Sequence, residues 1–172
     1  NKYRPSACMY WVKRSLAAKY EFYPGITHED NLYTTLVLLD HECKRLHLIG
    51  ETVYLRRVRE GSIMMVKPNA RNYMGYLKVY QMLESKIIAL PRDINAKKAL
   101  SKFRASLFVN FVRTLVLAHG MRIPLGMRLE VWLCWRGAHG ALIHPKYIAV
   151  TVFPFITVTS KGIMSNFRRI IG

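Results

Sequence analysis

Acidic residues are few in this sequence. Ten Asp and Glu stand against 27 Lys and Arg among 172 residues, which gives a formal net charge of +17, and the pI is near 10.2. No acid follows Glu130, so the last 42 residues carry no negative side chain. An excess of this size is more than solubility requires, and it indicates a polyanionic partner.

Cysteine and long apolar runs are scarce as well. The three cysteines, Cys8, Cys43 and Cys134, form no C-x-x-C pair and have no histidine at ligand spacing, which argues against a zinc site and against a disulfide framework. The best candidate for a membrane span, residues 148–158, contains Pro154 and is too short to cross a bilayer. We therefore expect no metal, no cofactor and no membrane span.

Apolar residues are abundant, and they mostly follow helical spacing. The chain is 51% hydrophobic and 12% aromatic, which is typical of a packed globular domain. Residues 27–30 resemble a capping box, with Asp in place of the usual Glu. An apolar run over residues 32–39 follows it, and together they predict a helix there. Apolar residues at three- and four-residue steps predict a second helix over about residues 40–60.

The second half of the chain has the clearest helical pattern. Pro68 and two glycines predict a loop over residues 61–75, and a short helix is expected over residues 76–88. A longer amphipathic helix is predicted over about residues 95–118, with Gly120 as its candidate C-cap. Its apolar stripe comprises Leu100, Phe103, Leu107, Phe111, Leu115 and Ala118. The sequence therefore predicts an all-α fold.

Basic residues gather in clusters that contain no acids. The alternative interpretation of such a cluster is an ordinary solvated helix face, in which acids and bases pair at i, i+4 spacing. No acid lies between Asp93 and Glu130 to form these pairs. Paired arginines suit bidentate phosphate contacts better than lysines do. The candidate phosphate-contacting residues, which become candidate RNA-binding residues if the polyanion is RNA, are Arg56, Arg57, Arg59, Lys97, Lys98, Lys102, Arg104, Arg113, Arg168 and Arg169.

Two segments resemble the signatures of the ribonuclease III family. Residues 44–53, KRLHLIGETV, resemble the Glu-Arg-Leu-Glu-Phe-Leu-Gly-Asp run that lies on one helix of that family. Residues 100–107, LSKFRASL, are similar to its Leu-x-Lys-Leu-Arg-Ala-Ser-Leu motif. The Thr-His pair at residues 27–28 also stands where the family commonly has one. Both motifs occur in the family's order.

The resemblance implies a domain organisation. A ribonuclease III-like helical domain is expected over residues 26–172, with an insertion around residues 61–90 because the distance between the two motifs exceeds the family norm. Residues 1–25 are expected to form a basic N-terminal arm, and the C-terminus a basic extension.

The catalytic acids of the family are largely replaced. Phosphodiester hydrolysis in that family needs carboxylates that hold Mg²⁺ against the scissile phosphate. The first two acidic positions of the signature are Lys44 and His47, and only Glu51 keeps a carboxylate. The remaining family acids fall on Lys97, Thr151 and Pro154. The resemblance therefore implies a fold without catalysis and without a catalytic metal.

A non-catalytic domain of this kind resembles the ribonuclease III-type components of mitochondrial ribosomal large subunits. The resemblance implies a structural RNA-binding protein in the mitochondrial matrix, with ribosomal RNA and other ribosomal proteins as partners. Because the chain opens at Asn1 with no Met, we expect a processed or partly built protein from which any targeting segment is already missing, which agrees with that location. A second ribonuclease III-like protein is the expected neighbour, contacted through Leu48 on the signature helix.

Two alternatives remain open at the level of sequence. The chain could be a non-catalytic ribonuclease III-like subunit of an RNA-processing or editing complex. It could also be an active nuclease whose acids lie at other positions, which the acid-free C-terminus argues against.

Overall fold

The computed structural model describes residues 5–43, 45, 47, 49–52, 54, 55, 57, 67–89, 94–120 and 122–137. All regular elements in these residues are helices, which confirms the predicted all-α class. The chain forms two compact units, Asn1–Val66 and Lys67–Gly172. Within the described part, no helix is both long and apolar enough to span a bilayer.

The first unit contains a 3-10 turn, Ala7–Met9, and two α-helices, α1 over Arg14–Ala17 and α2 over Glu29–Leu39. The helix predicted over residues 32–39 is therefore confirmed. Leu32 and Val37 of α2 are buried. Thr34 and Thr35 are also buried, and each hydroxyl donates 2.6 Å to the carbonyl oxygen four residues earlier, so burial leaves neither hydroxyl unsatisfied.

The N-cap of α2 lies one residue later than the predicted capping box places it. The N-cap residue is His28, which has φ +66° and makes no capping bond with its side chain. Instead, the Asn31 amide donates to the carbonyl oxygen of His28 at 3.1 Å, and to Asp30 Oδ1 at 3.1 Å. Glu29 and Asp30 occupy the first turn, where their negative carboxylates stabilise the helix by interacting with the positive end of its dipole.

The helix predicted over residues 40–60 is wrong in its described part. The α2 helix ends at Leu39, and Asp40 has extended backbone with ψ 136°. The Asp40 carboxylate accepts the backbone N–H of Glu42 at 2.8 Å, a local turn that competes with helix continuation. From position 45 to position 57, the described residues are non-helical and exposed. An apolar pattern that buries no face against a neighbour gives a helix little stability.

The second unit contains three helices, α3 over Ala70–Ala89, α4 over Ile94–His119 and α5 over Leu125–Gly137. The α3 and α4 helices pack along each other, and α5 packs against α4. The core side chains that exclude water most completely are Val79, Tyr80, Leu83, Leu107, Phe108, Phe111, Val112, Leu115 and Val131. The large apolar area that they remove from water is the main driving force for this unit.

The α3 helix begins at Ala70, so the predicted loop over residues 61–75 is wrong from that point onward. Asn69 initiates the helix, because its Oδ1 accepts the N–H of Arg71 at 2.9 Å. In return, Asn72 Oδ1 accepts the N–H of Asn69 at 3.0 Å. The segment that we interpret as an insertion thus supplies a core helix, in which Leu77, Val79 and Leu83 are buried.

The α4 helix follows the sequence prediction closely. Leu100, Leu107, Phe111 and Leu115 of the predicted stripe are buried, while Phe103 and Ala118 are half-buried. Gly120 has φ +59°, and its N–H donates to the carbonyl oxygen of Val116 at 2.7 Å. The predicted C-cap is therefore confirmed, because a side chain at this left-handed position would be strained.

Candidate nucleic-acid interface

The basic residues predicted on α4 divide between two faces of the helix. Lys98, Lys102 and Arg113 are exposed. At about 100° per residue they lie within roughly 60° of one another, and the helical rise places the first and last about 22 Å apart. We call these three residues the α4 basic stripe. Together they present a line of cations opposite the side of α4 that carries the buried residues.

Arg104 lies outside the stripe, on the packed side of α4. Its side chain is 9% exposed, and its Nη2 lies 3.0 Å from Oε1 of Glu84. Its Nε donates to the carbonyl oxygen of Tyr80 at 3.1 Å, and its guanidinium carbon lies 4.1 Å from the centre of the Tyr80 ring. These contacts engage the guanidinium with residues of α3 in its own chain.

Two of the other predicted RNA-binding residues are described, and neither belongs to the stripe. Lys97 is half-buried, on the same side of α4 as Arg104, and is thereby separated from the stripe. Arg57 is exposed in the first unit. Arg56, Arg59, Arg168 and Arg169, together with the predicted contact residue Leu48, lie outside the described residues and remain predictions.

Sequence reasoning missed exposed cations on α3. Arg71 and Lys78 are exposed and lie seven residues apart, which places them on one side of that helix. The spacing is visible in the sequence, but the incorrect loop over residues 61–75 removes Arg71 from any helical face. Two further exposed cations of the second unit, Lys86 and Arg122, carried no pattern that could single them out.

Charge is concentrated in the second unit. Lys67–Gly172 contains 17 Lys and Arg but only three acids, whereas Asn1–Val66 contains ten Lys and Arg and seven acids. The two acids of the second unit that are described both contact their own chain. Glu84 pairs with Arg104, and Glu130 Oε1 accepts a hydrogen bond from Gln81 Nε2 at 2.8 Å. This unit therefore carries a large excess of positive charge.

The residues aligned with catalytic acids form no described cluster. His47 and Glu51 are exposed and non-helical, so the helical face that the spacing predicts does not form at these positions. Lys44, Thr151 and Pro154 lie outside the described residues. Elsewhere in the described chain, Asp40, His41 and Glu42 have ligand atoms within 4.8 Å of one another.

The Asp40–Glu42 cluster already has a cation. Lys19 Nζ lies 2.6 Å from Glu42 Oε1 and 3.5 Å from Asp40 Oδ2. The Tyr20 hydroxyl donates to the same Asp40 oxygen at 2.7 Å. The N–H of Glu42 and this hydroxyl lower the pKa of Asp40. The cluster therefore works as an internal ion-pair network that ties α1 and the residues after it to the end of α2.

Comparison of the chain with protein-family models, with curated proteins and with solved structures finds no match.

Proposed function

We propose that this protein is a non-catalytic, RNA-binding structural component of a ribonucleoprotein. The observation that carries the proposal is the charge of the second unit, with 17 Lys and Arg against three acids. Exposed cations lie on its helices, which pack around an apolar core. Lysine and arginine on a rigid helix neutralise phosphates and release their counterions, which supplies most of the affinity for RNA without reading its sequence.

The α4 basic stripe is the proposed centre of the phosphate contacts. Its three cations are exposed and lie on one side of a 26-residue helix, whose opposite side is fixed by packing. Arg71 and Lys78 on α3 are added as contacts, and Arg104 is removed because its guanidinium is engaged with Tyr80 and Glu84. Arg57, which is exposed in the first unit, is retained as a separate contact.

The resemblance to ribonuclease III also suggests which ribonucleoprotein particle contains the protein. A degenerate ribonuclease III-like protein of this kind would belong to the mitochondrial large ribosomal subunit, beside a second ribonuclease III-like protein. The LSKFRASL segment lies on α4, which agrees with the helical position of the family motif. The KRLHLIGETV segment is non-helical at its described positions, so the resemblance rests mainly on the second motif.

Co-sedimentation tests the proposed particle. A mitochondrial lysate that contains the tagged protein would be fractionated by gradient centrifugation at moderate salt, because phosphate contacts weaken as the salt concentration rises. We expect the protein to remain with the large ribosomal subunits. Recovery with a nuclease-containing RNA-processing complex, and absence from the ribosomal fraction, would instead favour the alternative function.

Charge reversal tests the proposed interface. The variant K98E/K102E/R113E reverses the stripe, and K67E/K86E/R122E reverses three other exposed cations of the same unit with an equal change in net charge. We expect the first variant to lose at least about tenfold more RNA affinity than the second. Equal losses would show that general charge, and not the stripe, determines binding.

Incubation with double-stranded RNA tests the absence of catalysis. We expect no cleavage in Mg²⁺ or Mn²⁺, because the family's acidic positions carry Lys44, His47 and Lys97. Metal-dependent cleavage that disappears in Glu51→Ala would contradict the proposal.

A further inference from the structure

The α5 helix presents a row of leucines to solvent. Leu125, Leu129 and Leu133 are 81%, 57% and 51% exposed. They are spaced four residues apart and form a single ridge along one side of α5. Val131 and Cys134, on the opposite side, are buried in the unit. Isolated exposed leucines are ordinary, but three on one side of a 13-residue helix mark a surface that is suited to a partner.

The border of this leucine ridge is cationic. Arg136 is exposed at the end of α5, and Arg122 is exposed just before its start. Arg128 is half-buried, with its Nε donating to the carbonyl oxygen of Ile123 at 2.9 Å. The only acid between residues 122 and 137 is Glu130, which accepts hydrogen bonds from Gln81 and Cys134. An occupant with acidic residues beside its apolar surface would therefore complement the ridge.

The shape of the ridge favours a helix as the occupant. A single row at four-residue spacing fits the groove between side chains of another helix. Membrane-surface helices bury a broader apolar face, and RNA offers no apolar groove of this form. A second copy of this chain would bring another net charge of +17 to the contact, which repels the first.

We propose that the leucine ridge of α5 docks an amphipathic helix of a partner protein, whose apolar face is bordered by Asp and Glu. This site is separate in residues and in chemistry from the α4 basic stripe. It does not depend on the proposed RNA-binding function.

Binding of synthetic helical peptides tests the proposal on the full chain. Three labelled peptides share one length: the first has a leucine face bordered by Glu, the second has the same face bordered by Lys, and the third keeps Glu but replaces leucine with serine. Fluorescence anisotropy reports binding. We expect the first peptide to bind at least about tenfold more tightly than either of the others, because both the apolar face and the charge contribute.

Two variants locate the binding surface. L129Q/L133Q removes two ridge leucines, and R122Q/R136Q removes two bordering cations; all four side chains are exposed, so little loss of stability is expected. We expect each variant to weaken the first peptide by about tenfold. Far-UV circular dichroism confirms the fold, and the single variant Leu133→Ser serves if the double variant unfolds.

Several results would overturn the proposal. Equal binding of the Glu-bordered and Lys-bordered peptides would exclude the charge complementarity, and failure of all three to bind would exclude the docking site. If sedimentation velocity showed a dimer that L129Q/L133Q abolishes, the ridge would contact a second copy of the chain instead of a partner helix. Leucine-dependent binding to anionic vesicles would assign it to a lipid surface. Protection of a Leu129→Cys thiol from maleimide in the isolated protein would show that the chain itself covers the ridge.

Discussion

Arg104 joins two helices through three different interactions of one side chain. It stacks on the Tyr80 ring, donates to the Tyr80 carbonyl and pairs with Glu84. We expect Arg104→Met to lower the free energy of unfolding by about 2 kcal/mol, since a buried hydrogen bond from a charged group is lost while much of the apolar stem is kept. Urea denaturation followed by circular dichroism measures the change.

Lys102→Met provides the matched control for Arg104. Lys102 lies on the same helix, two residues earlier, but is exposed. Its substitution should change the free energy of unfolding by less than about 0.5 kcal/mol, as for most exposed sites. For RNA affinity we expect the reverse, so Lys102→Met should lose more affinity than Arg104→Met. Unchanged stability of Arg104→Met together with a large loss of RNA binding would show that Arg104 contacts RNA directly.

Cys134 is a thiol that the fold keeps unreactive. Burial is the larger cause, and the nearby Glu130 carboxylate the smaller one, of a pKa of Cys134 that is raised to about 12. At pH 8 only about one thiol in ten thousand would then be ionised, and the thiolate is the reactive form. We expect a disulfide exchange reagent to modify the exposed Cys8 rapidly, and Cys134 only after denaturation. Mass spectrometry of the labelled peptides distinguishes the sites, and rapid labelling of native Cys134 would contradict its burial.

The end of α4 depends on one backbone position. Gly120 adopts φ +59°, and a Cβ built there would have no atom within 4 Å, so the cost of a side chain is backbone strain alone. Gly120→Ala should therefore lower the free energy of unfolding by about 1 kcal/mol. Thermal denaturation of the full chain measures the effect.

Gly126→Ala serves as the control for Gly120. It also has open space around its Cβ position, but it lies in the first turn of α5 without a positive φ. Alanine should leave stability unchanged or raise it slightly, because alanine favours helical backbone. A similar loss in both variants would mean that some property other than the left-handed backbone explains Gly120.

The helices differ in how well their sequences predict them. The α4 helix is long, amphipathic and closed by Gly120, so local pattern and tertiary packing agree. The pattern over residues 40–60 is similarly periodic, yet its described residues from position 45 onward are exposed and non-helical. The α3 helix begins six residues earlier than predicted, because Asn69 Oδ1 accepts the N–H of Arg71 and Asn72 Oδ1 accepts the N–H of Asn69, which together start the helix after Pro68.

The whole molecule carries its charge mainly in one unit, and this predicts a steep salt dependence of RNA binding. Each phosphate contact contributes a slope of roughly 0.7 to 0.9 in a plot of the logarithm of the affinity against that of the salt concentration. We expect K98Q/K102Q/R113Q to reduce the slope by about 2. Filter binding or anisotropy across a salt series measures it.

The matched control for the salt series is K67Q/K86Q/R122Q, which removes an equal charge from other exposed positions of the unit. Its slope should stay close to that of the unsubstituted chain, because these cations lie outside the proposed contact. Identical slopes for both variants and the unsubstituted chain would show that the α4 basic stripe contacts no phosphates.

The sequence by itself determined the helical class, the positions of α2 and α4, and the excess of positive charge. Periodicity and charge are properties of the chain that can be read residue by residue. Only the tertiary structure decided that Arg104 faces Tyr80 while Lys102 faces solvent, and that the leucines of α5 are exposed. Burial depends on which neighbouring helix covers a given side, and that neighbour is distant in sequence, so the local pattern does not contain it.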